Sequence, residues 1–163
     1  MEKVIRLEED DILRLPIIAS NGNPTGEFLE FDLQDIELPM KYQEFIDKDK
    51  KNRSNLQNKL YLIDKKEDVD EGKVLTRNER EKIIAIQDFL KEEVKIYNLF
   101  LGENGVEKLL NGSKLRWNSL KIIDKIINEQ IVPHLDLSVE TMNEKIKEKY
   151  SQEEVKEEIE VLD

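Results

Sequence analysis

From Ile83 to Leu101, apolar side chains return every three or four residues, at Ile83, Ile86, Leu90, Val94, Tyr97 and Leu101. That period puts them on one face of a helix. Ile84, Phe89 and Phe100 widen the stripe beyond a coiled-coil seam. Just before it, Thr76-Arg77-Asn78-Glu79 has the spacing of a capping box, in which the threonine oxygen and the Glu79 carboxylate satisfy backbone donors left free at a helix start. Gly102 stands where a left-handed residue ends a helix. Glu103-Asn104-Gly105 reads as a turn, and Val106 to Leu110 as a short helical piece closed by Gly112. A second apolar helix is predicted from Leu115 to Ile131, with Leu120, Ile123, Ile127 and Ile131 on one face and Trp117, Ile122 and Ile126 beside them. Pro133 is predicted to stop it, since proline lacks the amide donor and disfavours helical backbone in the residue before it. The chain is organised around this apolar helical hairpin.

Nearer the start the period falls to two. Leu13, Leu15, Ile17 and Ile18 precede the turn-rich Ser20-Asn21-Gly22-Asn23-Pro24-Thr25-Gly26, and Phe28, Leu29 and Phe31 then alternate in part with Glu27, Glu30 and Asp32. The pattern predicts a β-hairpin, Leu15 to Ser20 and Glu27 to Asp32. Two strands are marginal alone, so the hairpin must gain a third strand or pack on the helices. Reading the turn as a phosphate-binding loop fails, because no Lys, Arg or helix start completes it. Val4-Ile5-Arg6-Leu7 is a further strand candidate.

Pro39 suits the first turn of a helix bearing Tyr42, Phe45 and Ile46. The charged run from Asp47 to Arg53 interrupts that face, and Leu56, Leu60, Tyr61 and Ile63 resume it after Ser54. Either one helix passes through a solvated middle or two meet near Arg53. The lysines of the run read as a solvated helix face rather than a phosphate contact. Lys65 to Lys73 is almost wholly charged and reads as a linker or exposed loop. Past Pro133, Leu135-Asp136-Leu137 is predicted extended. Ser138 then caps a helix with Val139, Met142, Ile146 and Tyr150, and Ser151-Gln152-Glu153-Glu154 begins a last one with Val155, Ile159 and Leu162.

The expected fold is mainly α: helical hairpins in a bundle, a small N-terminal β-hairpin, and an acidic C-terminal helical tail. Residues 1–135 form the helical domain and 136–163 the tail. Composition sharpens this. Of 163 residues, 39% are charged against 38% hydrophobic, which suits slender helices better than a thick sheet. The net charge is -11, and the tail holds ten acidic residues against four lysines. Such a chain is repelled by bare nucleic acid and anionic membrane surfaces, so neither is an expected partner. With no cysteine, thiolate zinc sites, disulfides and cysteine nucleophiles are excluded. No apolar run approaches the ~20 residues that span a bilayer. A soluble cytoplasmic protein is expected.

Candidate chemistry is sparse. The single histidine, His134, is followed by Asp136, but no second His or Cys completes a metal site, and a histidine past a helix end complements the helix dipole. Glu103, beside Phe100 and Leu101, reads as a helix-terminal surface residue rather than an acid with a raised pKa. No nucleophile elbow, phosphate-cradling loop or dinucleotide fingerprint is present. No catalytic, cofactor-binding or metal-binding residue is therefore assigned, and an enzyme is not expected. Trp117, near the Gly105 and Gly112 turns, reads as core packing or, alternatively, as a partner anchor completed by Leu109, Leu110, Leu115 and Leu120.

The N-terminal hairpin ending in Glu27-Phe28-Leu29-Glu30-Phe31-Asp32-Leu33, the charged helices, and Tyr97-Asn98-Leu99-Phe100-Leu101-Gly102-Glu103-Asn104-Gly105 through Gly112 before a last apolar helix are similar in order to a known family. The arrangement resembles the small tail assembly chaperones of bacteriophages and phage-like elements of low-GC Gram-positive bacteria. The resemblance implies binding of the tape-measure protein, keeping its hydrophobic helices soluble while the tail tube polymerises. It also implies no catalysis or cofactor, and it suggests homo-oligomers. The charged Lys65 to Lys73 segment departs from the family pattern. The expected client surface is Phe100, Leu101, Leu109, Trp117 and Leu120. The alternatives are an acidic inhibitor or nucleic-acid mimic that blocks a basic protein, and a structural virion component.

Overall fold

Alternation of inward and outward side chains builds the first element. In the computed structural model, which describes residues 12–135 and, beyond them, 139–140, 143–144, 146–149 and 151, strand β1 (Ile12–Ile18) pairs antiparallel with β2 (Pro24–Asp32). Leu13 lies opposite Phe31 and Leu15 opposite Leu29. Ile17, Leu29 and Phe31 are buried, whereas Arg14 and Glu30 pair across the outer face and the Arg14 guanidinium covers the Phe28 ring at 4.4 Å. β2 begins three residues before its predicted start, whereas β1 starts earlier and stops at Ile18, short of the predicted Ser20, because the turn falls at residues 19–23. Gly22, at φ +85°, donates to the Ala19 carbonyl at 2.8 Å, and the Asn21 side chain accepts from the Asn23 amide. Pro24, Thr25 and Gly26 therefore belong to β2. The register slips between Pro16 and Ile18, and Thr25 Oγ1 bridges the slip by donating to the Ile17 carbonyl at 3.0 Å.

Helix α1 (Leu38–Asp64) runs unbroken through the charged stretch. Asp35 accepts the Glu37 amide ahead of the helix, a bond that, helped by Lys41, holds its carboxyl below the usual range. Pairs four residues apart, Glu44 with Lys48 and Asp49 with Arg53, carry the helix past Asp47 to Arg53. The inward face does not stop there. Phe45, Asp49, Asn52, Arg53 and Leu56 keep helical spacing, so polar side chains hold inward positions in the middle of the stripe.

Helix α2 (Arg77–Leu101) returns antiparallel to α1 and starts at the predicted capping box: the Glu79 amide donates to Thr76 Oγ1 at 3.2 Å, and the Thr76 amide to the Glu79 carboxylate at 3.1 Å. Its most buried line runs through Ala85, Phe89, Glu93, Ile96 and Phe100, while Ile83 and Ile84 are exposed. The predicted stripe is thus turned by about one position, because a count of apolar residues passes over Ala85 and Glu93. The charged loop between the helices is exposed but tied down. Asn78 donates to the Ile63 and Lys66 carbonyls, and Asp68, held acidic by the Thr76 hydroxyl and the Asn78 amide, closes the other side.

Gly102, at φ +94°, ends α2. Asn104 takes the left-handed conformation before α3 (Gly105–Leu110), so Gly105 opens that helix rather than lying in the turn. A Cβ on Gly105 would meet the Leu101 Cβ at 2.6 Å. Helix α4 (Trp117–Ile126) follows and widens into a π turn, Ile127–Ile131.

Pro133 does not end this helix: residues 132–135 remain helical. The Val132 amide donates five residues back to the Ile127 carbonyl, and this looser turn absorbs the donor that Pro133 lacks. The wider turn also keeps Ile123, Ile127, Ile131 and Leu135, spaced by four, facing the core. Leu135, predicted extended, is helical and buried. The described residues from 139 to 151 are helical. The strand candidate at 4–7 and residues 152–163 of the acidic tail lie outside the described residues.

The protein is mainly helical with an N-terminal two-stranded antiparallel hairpin, and its core gathers around Phe100. That ring lies 5.4 Å from Phe31, 5.2 Å from Tyr42 and 5.8 Å from Phe45, joining β2, α1 and α2. Replacing Gly105 by Ala forces α3 away from Leu101. Urea denaturation of G105A is expected to show a loss of about 1–3 kcal/mol, the usual cost of overpacking.

Candidate functional site

A groove of about 700 Å³ opens between the hairpin and the last helix. Every residue from Leu15 to Asn21 lines one side, and Leu109 and Leu110 of α3 with Ile122, Ile123 and Ile126 of α4 line the other. Leu29 completes the apolar lining. Ser20, Asn21, Asn111, Ser113, Ser119 and Gln130 supply its polar side chains, and no lining residue carries a charge. Two side chains stand out into it: Ile18 is 64% exposed and Ile122 61%. Since β1 pairs only with β2 among the described residues, its second edge is unpaired. Pro16 and the register slip interrupt that edge, which resists the addition of another strand. With apolar walls and uncharged hydrogen-bonding groups, the groove can hold an apolar segment; no Asp, Glu, His, Lys or Arg side chain lines it.

The five residues expected to form a client surface do not share one open face: Phe100, Leu101 and Leu120 join a single buried cluster, with Leu109 packed against it. Phe100 is the hub of the aromatic core, and Leu101 and Leu120 are also buried, so these three belong to the interior rather than to an open face. The reason is that the β-hairpin, α1 and α4 cover the α2 stripe. Leu109 does line the groove. Trp117 is 47% exposed and packs its ring on Phe89 at 5.5 Å, away from the groove lining. Ile18 and Ile122 were missed because β1 and α4 meet only after folding; the signal for Ile122 was its place beside the buried line of its helix.

Polar groups converge where α1, α2 and α4 meet. Glu93 is 0% exposed, and its Oε1 accepts from Asn52 Nδ2 at 2.9 Å. Its Oε2 has no donor. Burial, with the Asp49 carboxylate beside it, pushes the Glu93 carboxyl up to about 8. Arg53 holds Asp49 with Nε at 3.0 Å from both oxygens; burial opposes the guanidinium charge, but Asp49 outweighs it and raises the Arg53 pKa. The Tyr97 hydroxyl donates to Asp124 Oδ1 at 2.5 Å and accepts from Arg53 Nη2 at 3.3 Å. Burial and Asp124 raise the Tyr97 pKa, so the phenol stays protonated. A charge-blind reading missed this cluster, although Glu93 sits four residues from both Phe89 and Tyr97, inside the apolar stripe.

Among the described residues no group of acidic or histidine side chains could hold a metal ion, and no helix is long and apolar enough to cross a membrane. No protein-family model, curated protein or solved structure matches the chain.

Tyr97→Phe keeps the ring but removes the hydroxyl that links Arg53 to Asp124. Asp124 and Arg53 are partly open to water and regain partners there, so equilibrium unfolding is expected to show a loss of about 1–2 kcal/mol with helicity unchanged.

Proposed function

We propose that this protein is a non-enzymatic assembly chaperone of the phage-tail type, which holds an apolar helical segment of a tape-measure protein in the groove between β1 and α4. One observation supports the reading: in a chain that is 39% charged, the groove has no charged residue in its lining. A fold that discards charge so thoroughly from one open surface is matched to an apolar, uncharged occupant. The interrupted edge of β1 favours a helical client over an added strand, because a helix satisfies its own backbone groups and needs only side-chain contact. The net charge of -11 keeps such a complex soluble and sets it against nucleic acid and anionic membranes. The host cytoplasm is the compartment in which this role is carried out.

The test is co-expression with a tape-measure protein. The client is expected to become soluble and to co-purify, with binding that tolerates salt. Ile18→Asp and Ile122→Lys, both at exposed positions, are expected to keep the fold and to weaken binding roughly thirtyfold each, the equivalent of about 2 kcal/mol. A client that stays insoluble, or variants that bind as well as the parent, would overturn the reading.

A further inference from the structure

The helical junction contains a carboxyl oxygen with no donor. Glu93 comes from the middle of α2, is wholly buried, and faces Asp49, Asn52 and Arg53 of α1. Asn52 serves one oxygen, and Arg53 is already committed to Asp49 and to the Tyr97 hydroxyl. The remaining charged group at the junction, Asp124 of α4, accepts from Tyr97 and lies 3.5 Å from Arg53. Four side chains with acidic protons thus meet one guanidinium. The species that gives Glu93 Oε2 a partner is its own proton, donated to the Asp49 carboxylate. Without that proton, two carboxylates face each other inside the helix pair while the one arginine nearby is bound to Asp49, an arrangement that low-dielectric surroundings penalise.

We propose that Glu93 and Asp49 form a proton-operated latch, in which one shared proton holds α1 against α2 and its loss loosens the junction of α1, α2 and α4. The sign follows from linkage. Glu93 binds its proton more tightly when the junction is closed than when it is open to water. The closed state is therefore fully favoured below the ordinary carboxyl range and loses its advantage as the pH climbs towards 8, where the buried group itself titrates. Asp35 and Asp68 are shifted to lower pH than this window, and Arg53 and Tyr97 to higher. Among the described groups with a shifted pKa, the window between about pH 5 and 8 belongs to Glu93.

Native-state hydrogen exchange on the full chain, corrected for the intrinsic pH dependence of amide exchange, reads the opening directly. For amides of α1 and α2 around Asp49 and Glu93, the opening constant is expected to rise by up to about tenfold per pH unit between pH 5 and 8 and to level off above. Glu93→Gln, which retains a donor for Asp49 and cannot ionise, is expected to flatten that rise. A pH-independent opening in the parent, or the same rise in E93Q, would overturn the latch. Should E93Q fail to fold, the Glu93 side-chain carboxyl resonance of the parent protein decides. A midpoint near 8 supports the latch, and a midpoint in the ordinary carboxylate range overturns it.

Discussion

Contact between Phe31 and Phe100 turns a marginal hairpin into a fixed part of the protein. Two strands alone bury too little to persist in water. Here Phe31 of β2 lies against Phe100 of α2, and Phe100 in turn touches Tyr42 and Phe45 of α1. Leu29 and Ile17 follow the same inward face. With the hairpin pinned at this point, β1 is held at a set distance from α4, and the groove between them is a consequence of that spacing. The aromatic cluster therefore fixes the geometry of a surface to which it does not itself contribute.

The polar junction imposes a second constraint. A wholly apolar seam would pack α1 on α2 with equal or greater stability, because buried charge networks rarely repay their desolvation. What the network adds is register. Asn52 reaches Glu93 and Phe89, Arg53 reaches Tyr97, and Tyr97 reaches Asp124, so each helix has one sliding position and one rotation that satisfies its partners. Specificity of this kind matters in slender helices that carry few large core residues, and it places a proton-sensitive element at the point where three helices depend on one another.

The π turn at the end of α4 shows how local and tertiary demands are reconciled. Proline at 133 opposes a continuous α-helix, while the apolar spacing of four from Ile123 to Leu135 calls for a wider one. Loosening the turn to Ile127–Ile131 answers both, removing the need for the Pro133 donor and keeping the buried line aligned. The last helix thereby extends its contact with the core by a further turn.

Local chemistry determined much of this protein directly. The capping box at Thr76, the stop at Gly102, the turn around Gly22 and the period-two strands are set by backbone donors, φ preferences and side-chain alternation, which act over a few residues and can be read one segment at a time. The buried face of α4 was legible for the same reason. Which apolar residues stay exposed was decided by the tertiary structure. Phe100, Leu101 and Leu120 are as apolar as Ile18 and Ile122, but the first three are covered by elements distant in sequence and the other two are not. The same holds for Glu93 and Asp49, whose charge suggests a solvated face until α1 closes over α2. Burial depends on every packing partner at once, so the groove and the junction come into being only when the chain is folded.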